Sequence, residues 1–143
     1  MSVESILRKK GTGVATIAPD ISVKRAADLL RAKNIGALVV TREDAILGLV
    51  SEREIVDAIS RHSETATSMP VSEIMRHSVI NVSPTESISH VMKLMTQHRL
   101  RHMPVVHNGR VAGIISIGDV VKHRLDDLEL ETSVLRDAYI ASR

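Results

Sequence analysis

The chain contains no cysteine, no phenylalanine and no tryptophan, and Tyr139 is its only aromatic residue. Without cysteine, disulfides, thiolate metal sites and cysteine nucleophiles are excluded, which fits a reducing cytoplasm. Without aromatic platforms, base stacking is excluded, and with it the usual surfaces for single strands and RNA. Charge of one sign is also scarce: the net charge is +2 and the basic residues are scattered among acids, so nucleic acid is not an expected partner. No apolar run approaches membrane-spanning length, and the opening MSVESILRKKG has no secretory leader pattern. Glycine-rich phosphate loops of the Walker or GxGxxG type are missing. The seven histidines offer no metal-ligand spacing, since His98 and His102 straddle an expected helix end. No Ser-His-acid set can be picked from spacing, so no catalytic residue and no metal are assigned and the chain is read as a non-enzyme.

What is present is one phrase written twice. GLVSEREIV (Gly48 to Val56) returns as GIISIGDVV (Gly113 to Val121), 65 positions on. The same offset pairs Pro19 with Pro84, Ser22 with Ser87, Leu29 with Leu94 and Val40 with Val105, without a gap from Ile17 to Val56. Ser5-Ile6-Leu7 resembles Glu73-Ile74-Met75 at a slightly longer offset, with the excess assigned to a Lys9–Gly13 loop. Each unit reads β-α-β-β-α. A short β-prone run (Val14 to Ile17; Val79 to Val82) precedes a serine placed to cap a helix of apolar period 3.6. Two apolar runs follow. They are joined in the second copy by His107-Asn108-Gly109-Arg110, a two-residue hairpin signal, and in the first by Arg42-Glu43-Asp44-Ala45. A second helix is expected to begin near Glu52 and near Ile117. The core must be built from Val, Ile, Leu, Met and Ala.

Neither unit has enough residues to cover both faces of its sheet. The expected fold is therefore α/β (α+β): two repeats about a pseudo-twofold axis, sheets packed together and helices outside, with clefts where strand ends meet helix starts. The expected divisions are 1–62 for repeat one, 63–70 for a polar connector within RHSETATSM, 71–125 for repeat two, and 126–143 for a tail of one or two amphipathic helices.

Three clusters carry candidate chemistry. Ser116-Ile117-Gly118-Asp119 stands at a strand-to-helix turn. Its carboxylate suits the paired hydroxyls of a ribose, and Gly118 allows close approach of a ligand. The same Ser-x-x-Asp pattern is a capping box, and both readings can hold together. Ser51-Glu52-Arg53-Glu54 is the first-copy equivalent, with a carboxylate one methylene longer; Arg53 fits either a phosphate contact or an exposed helix face. Arg101-His102 stands at the mouth of the second hairpin, where the first copy has Gly36-Ala37. The pair fits either a phosphate clamp or a solvated strand end, and its one-sidedness implies unequal sites.

Two β-α-β-β-α units ending in RHMPVV and GRVAGIISIGDVV resemble a tandem pair of CBS (cystathionine β-synthase) domains, over about Val3 to Leu125. The wording is similar to small stand-alone bacterial CBS-pair proteins. The resemblance implies a regulatory module that binds AMP, ADP or ATP, or else NAD(H) or S-adenosylmethionine, in the clefts. It maps ribose contacts onto Asp119 and Ser116, with Glu54 and Ser51 in the first repeat, and phosphate contacts onto Arg101, His102 and Arg53. It places Thr16, Ile17 and Val82 beside the base or ribose, and the backbone of Ala37-Leu38 and Met103-Pro104 at the adenine edge. It further implies a homodimer through the helices and a separate regulated protein that reads occupancy. The other reading is a ligand-free scaffold acting through its dimer surface and C-terminal tail.

Overall fold

A computed structural model of the chain describes residues 2–11 and 13–142; Met1, Thr12 and Arg143, at the outer ends of the first and last expected divisions and in the expected loop, lie outside the described residues. The elements run α1 (Val3–Lys10), β1 (Thr16–Ile17), α2 (Val23–Lys33), β2 (Ala37–Arg42), β3 (Ala45–Ser51) and α3 (Glu52–His62), then α4 (Ile88–His98), β4 (His102–His107), β5 (Arg110–Ser116) and α5 (Ile117–Ala141). Between α3 and α4 lie two 3-10 segments, Ser63–Ser68 and Val71–Glu73. The first packs inward through Ala66, which is fully buried, so the polar connector is an ordered turn rather than a loose link.

The repeat in the letters is also a repeat in the backbone. Ser22 accepts from Arg25 N at 3.1 Å and Ser87 accepts from His90 N at 3.1 Å, each supplying an N-cap. Asn34 (φ 52°) and Arg99 (φ 54°), one repeat apart, close those helices in the left-handed conformation. Both hairpins turn on two residues of positive φ, Glu43-Asp44 and Asn108-Gly109. Both carry a register shift at the same place, Val40/Thr41 and Val105/Val106.

The two units differ at their first strand. β1 pairs parallel with β2, and Val39 N donates to Ala15 O at 3.1 Å. The repeat partner of Val39 is Pro104, which has no N–H to give. The expected Val79–Val82 strand accordingly shrinks to one parallel bridge, Val82 to Val105. The result is a three-stranded sheet β1-β2-β3 beside a two-stranded sheet β4-β5.

The leading segments are exchanged. α1 comes first in the chain but packs on the second repeat: Val3 N donates to Glu86 O and Glu4 N to Pro84 O, both at 2.9 Å. Val71 N donates in turn to Ile21 O at 2.8 Å and Ser72 N to Pro19 O at 3.0 Å, so the segment opening the second repeat packs on the first. The cores follow the exchange. Val3 and Ile6 sit with Val91, Met95, Met103, Val105 and Ile115. Val71 sits with Val23, Leu30, Leu38, Val40 and Val50. A third cluster, Ala37, Val39 and Leu49, packs against Val79, Val111 and Ile114, and joins the two halves. The α1 boundary also places Lys9 and Lys10 in the helix rather than in the expected loop.

Two glycines make the exchange possible. A Cβ on Gly113 would stand 2.5 Å from Leu7 Cδ2, and one on Gly48 would stand 2.5 Å from Met75 Sδ and 2.9 Å from the Arg76 carbonyl oxygen. Leu7 can swing aside; a backbone carbonyl tied to Leu49 cannot. Gly48→Ala is therefore expected to cost about 2–3 kcal/mol by overpacking, and Gly113→Ala distinctly less, read from paired urea melts.

Candidate functional site

Each repeat ends its hairpin in serine and starts its last helix at once, so the helix N–H groups need acceptors. At α5 the need is met reciprocally: Ser116 Oγ accepts from Asp119 N at 3.1 Å, and Asp119 Oδ2 accepts from Ser116 N at 2.9 Å. At α3 the longer Glu54 bends back, and its Oε1 accepts from Ser51 N at 3.1 Å and from the Ser51 hydroxyl at 2.8 Å. Both helix starts are capping boxes.

Asp119 has a further partner. Lys10 Nζ, brought across by the exchanged helix, donates to Asp119 Oδ2 at 2.8 Å and to Ile114 O at 2.9 Å. The two side chains are 35% and 22% exposed, so the pair is partly shielded from water. Burial pushes the Asp119 carboxyl upward, but the Lys10 ammonium together with the Ser116 N–H and hydroxyl outweighs it, and Asp119 is held below the ordinary carboxylate value. The site therefore presents a carboxylate that stays ionised well into acid.

That carboxylate stands on the wall of a cleft of about 530 Å³ lined also by Ala15, Lys33, Asn34, Gly36, Ala37, Ile114 and His102. A second cleft of about 550 Å³ opens at the other helix start, where Ser51, Arg53 and Glu54 meet Arg76, Arg99, Arg101 and His102. Gly36 and His102 line both clefts. His102 Nε2 stands 2.7 Å from where a Cβ on Gly36 would be, so the imidazole forms part of the partition. Burial, then the Lys10 ammonium, lower the His102 pKa below 6.5, against the opposing pull of Asp119 and Glu54. The imidazole is thus neutral at pH 7 in the ligand-free protein. Its folded value lies below its unfolded one, so its contribution to stability is present above about pH 6.5 and is lost as pH falls through the lowered value.

The structure divides the residues singled out from the sequence. Ser116, Asp119 and Ala37 line one cleft, and Ser51, Arg53, Glu54 and Arg101 the other, with His102 common to both. Thr16 is exposed next to Ala15. Ile17, Leu38, Val82, Met103 and Pro104 are buried in the core and can offer a ligand only backbone. Gly118 sits in the first turn of α5, where an added Cβ would meet only Ser116 Oγ, at 3.6 Å. Lys10, Lys33, Arg76 and Arg99 went unread. Arg99 had a visible signal, as the repeat partner of the helix-ending Asn34; Lys10 had none, since its partner lies more than a hundred residues away. Among the described residues no group of three or more His, Asp or Glu side chains could hold a metal ion, and no helix is long and apolar enough to cross a membrane.

Two units of one repeated design, each with a cleft at its last helix start, define a tandem-repeat module. The chain belongs to the CBS domain family, whose model matches residues 3–61 and 71–126. It is 42% identical to the CBS-domain containing protein ATU1752 of Agrobacterium tumefaciens, whose crystal structure superposes with a TM-score of 0.83 over 87% of this chain and 99% of that one. It is 30% identical to the CBS domain-containing protein YhcV of Bacillus subtilis, over 81% of this chain and 82% of the relative. The CBS domain pair of protein MJ0100, solved in complex with 5′-methylthioadenosine and S-adenosyl-L-methionine, is 27% identical with a TM-score of 0.77, over 85% of this chain and 98% of that one.

Proposed function

We propose that the chain is a regulatory module that binds an adenine nucleotide, with the ribose held by Asp119, and that it signals occupancy to a separate protein. The observation that carries this reading is an ionised carboxylate fixed by a helix cap on the wall of a cleft large enough for a nucleotide. An ionised carboxylate only accepts, so two ribose hydroxyls are matched partners for it. The adenosine-bearing ligands of the MJ0100 pair support the ribose assignment. Lys10 and Lys33 supply positive charge for phosphate in the same cleft, and the arginines of the neighbouring cleft supply more across His102.

Lys10 gives the module a way to signal. A ribose at Asp119 competes with Lys10 for the carboxylate, and a phosphate draws the ammonium away from it. Lys10 is the last residue of α1, which opens the first repeat in the chain but packs on the second, so the ligand acts on the helix that ties the halves together. Its leverage equals its differential affinity for the two positions of α1.

Isothermal titration tests the reading. AMP is expected to bind in the micromolar range and adenosine more weakly, with the AMP affinity falling at high salt. Absence of binding by AMP, ATP, NADH and S-adenosylmethionine below millimolar concentration would overturn it. A phosphate beside His102 also raises that lowered pKa, so binding takes up a proton. AMP affinity is expected to rise as pH falls from 8 to 6, by up to about tenfold per unit, and His102→Gln is expected to flatten the profile.

A further inference from the structure

The exchange of leading segments furnishes the two clefts differently. Each exchanged segment carries a cation into the cleft of the other repeat: Lys10 into the one with Asp119, Arg76 into the one with Glu54. Arg76 is fixed there by its backbone, which donates to Leu49 O at 2.9 Å and accepts from Leu49 N at 3.0 Å. Lys10 is neutralised on arrival, 2.8 Å from Asp119 Oδ2. Arg76 is not. Glu54 is bonded instead to the N–H and hydroxyl of its own serine.

Arg53 in the first turn of α3, Arg99 at the end of α4 and Arg101 just before β4 line the same cleft. Among the described residues none of the four guanidinium groups makes an ion pair or a side-chain hydrogen bond, although Glu52 and Glu54 line the cleft with them. Arg99 is the most informative of the four. It closes its helix at φ 54°, a left-handed position suited to Gly or Asn, and its repeat partner Asn34 is the suited residue. The arginine gives up backbone ease at the cap and puts a fourth cation on the cleft wall.

The lining also tells against a base in this cleft. Its apolar side chains are Leu49, which is 4% exposed, and Val56. The Asp119 cleft has Val14, Ala15, Ile35, Ala37 and Ile114. A guanidinium gives two parallel N–H bonds to a phosphate. A single phosphate group has three free oxygens, too few for four such forks, whereas a chain of phosphates has enough.

We propose that this cleft is a polyphosphate site, in which Arg53, Arg76, Arg99 and Arg101 hold a short chain of phosphate groups. The chain comes either as free inorganic polyphosphate or as the tail of a nucleoside triphosphate seated at Asp119 and reaching past His102, which lines both clefts. The site itself does not depend on the ribose reading of Asp119.

Isothermal titration with inorganic tripolyphosphate, orthophosphate, ATP and AMP at low salt tests it. Tripolyphosphate is expected to bind in the micromolar range and at least tenfold more tightly than orthophosphate. Arg99→Asn copies the cap of the first repeat. It is expected to leave the thermal melt unchanged or raised while weakening tripolyphosphate about tenfold, and Arg76→Gln to weaken it about as much. Arg42→Gln removes the same charge outside both clefts and is expected to have no effect. ATP separates the sources. A nucleotide-borne chain makes ATP at least tenfold tighter than tripolyphosphate, a margin lost in Asp119→Asn; a free chain binds at least as tightly as ATP. AMP titrations on the same variants report the Asp119 cleft, so lost AMP binding with tripolyphosphate binding retained overturns the ribose reading alone. Equal weakening by Arg42→Gln and Arg99→Asn would overturn the proposal. So would tripolyphosphate and ATP affinities that neither Arg76→Gln nor Arg99→Asn changes, or no binding of either below millimolar concentration.

Discussion

Asp119→Asn is expected to lower AMP affinity about a hundredfold while costing the fold only about 1 kcal/mol. The two figures separate two jobs done by one carboxylate. As a cap, Asp119 accepts from Ser116 N through Oδ2, and an asparagine carbonyl in the same rotamer accepts equally well. As a sugar grip, it would take two hydroxyl donors, and hydrogen bonds to an ionised acceptor are worth about 1.5–3 kcal/mol each. An asparagine in its place keeps at most neutral bonds of about 0.5–1.5 kcal/mol, and the loss over two hydroxyls comes to about 2–3 kcal/mol, near a hundredfold. Asp119→Ala removes the cap as well and is expected to be the less stable variant, so the pair of substitutions resolves the two roles. Titration calorimetry gives the affinity and a thermal melt gives the stability. An asparagine variant that binds AMP as the unmodified chain does would reduce Asp119 to a cap.

The first copy bears on the same point. Glu54 Oε1 is already turned back onto both the N–H and the hydroxyl of Ser51. Asp119, one methylene shorter, accepts from the Ser116 N–H alone of that pair and takes Lys10 as its other donor. Four arginines surround Glu54 where two lysines attend Asp119. The one-letter difference between the two phrases therefore marks two chemically different clefts. One pairs a carboxylate with lysines; the other is dominated by guanidinium groups suited to planar, bidentate contact with phosphate.

The local grammar of this fold was legible in the letters because it depends on neighbours. Ser22 and Ser87 cap, Asn108-Gly109 turns, and α3 and α5 begin where a serine ends a strand. Each of these is decided within four residues. The fate of the second copy's first strand was legible in principle too, since Pro104 cannot donate to it. The exchange of α1 and the Val71–Met75 segment was not. Amphipathic period shows that a helix has an apolar face but not which sheet will cover it, and α1 would satisfy its own period on either. The clue lay in the pairing of Gly48 with Met75 and of Gly113 with Leu7, two small-against-large contacts that only a structure can connect. The site inherits the same limit. Asp119 could be singled out from its phrase, whereas Lys10 reaches it only through the exchange.

That exchange has the largest consequence for stability. Ile6 is 3% exposed, and it lies in the core of the second repeat although it stands near the start of the chain. Ile6→Ala removes three buried carbons from a well-packed cluster and is expected to cost about 2–5 kcal/mol. The location of the damage is the sharper part of the prediction. Were α1 part of the first repeat, amide exchange would quicken in α2, β2 and β3. Because it shares a core with Val91, Met95, Val105 and Ile115, protection is expected to fall in α4, β4 and β5 first, with the first repeat following only as global stability declines. Val71→Ala is the mirror experiment, expected to loosen α2, β2 and β3 first. The two variants together ask whether each half is completed by the other's leading segment. Exchange that quickens in the sequence-adjacent repeat in both cases would show that the halves are independent and that α1 is not the tie through which a ligand at Asp119 acts.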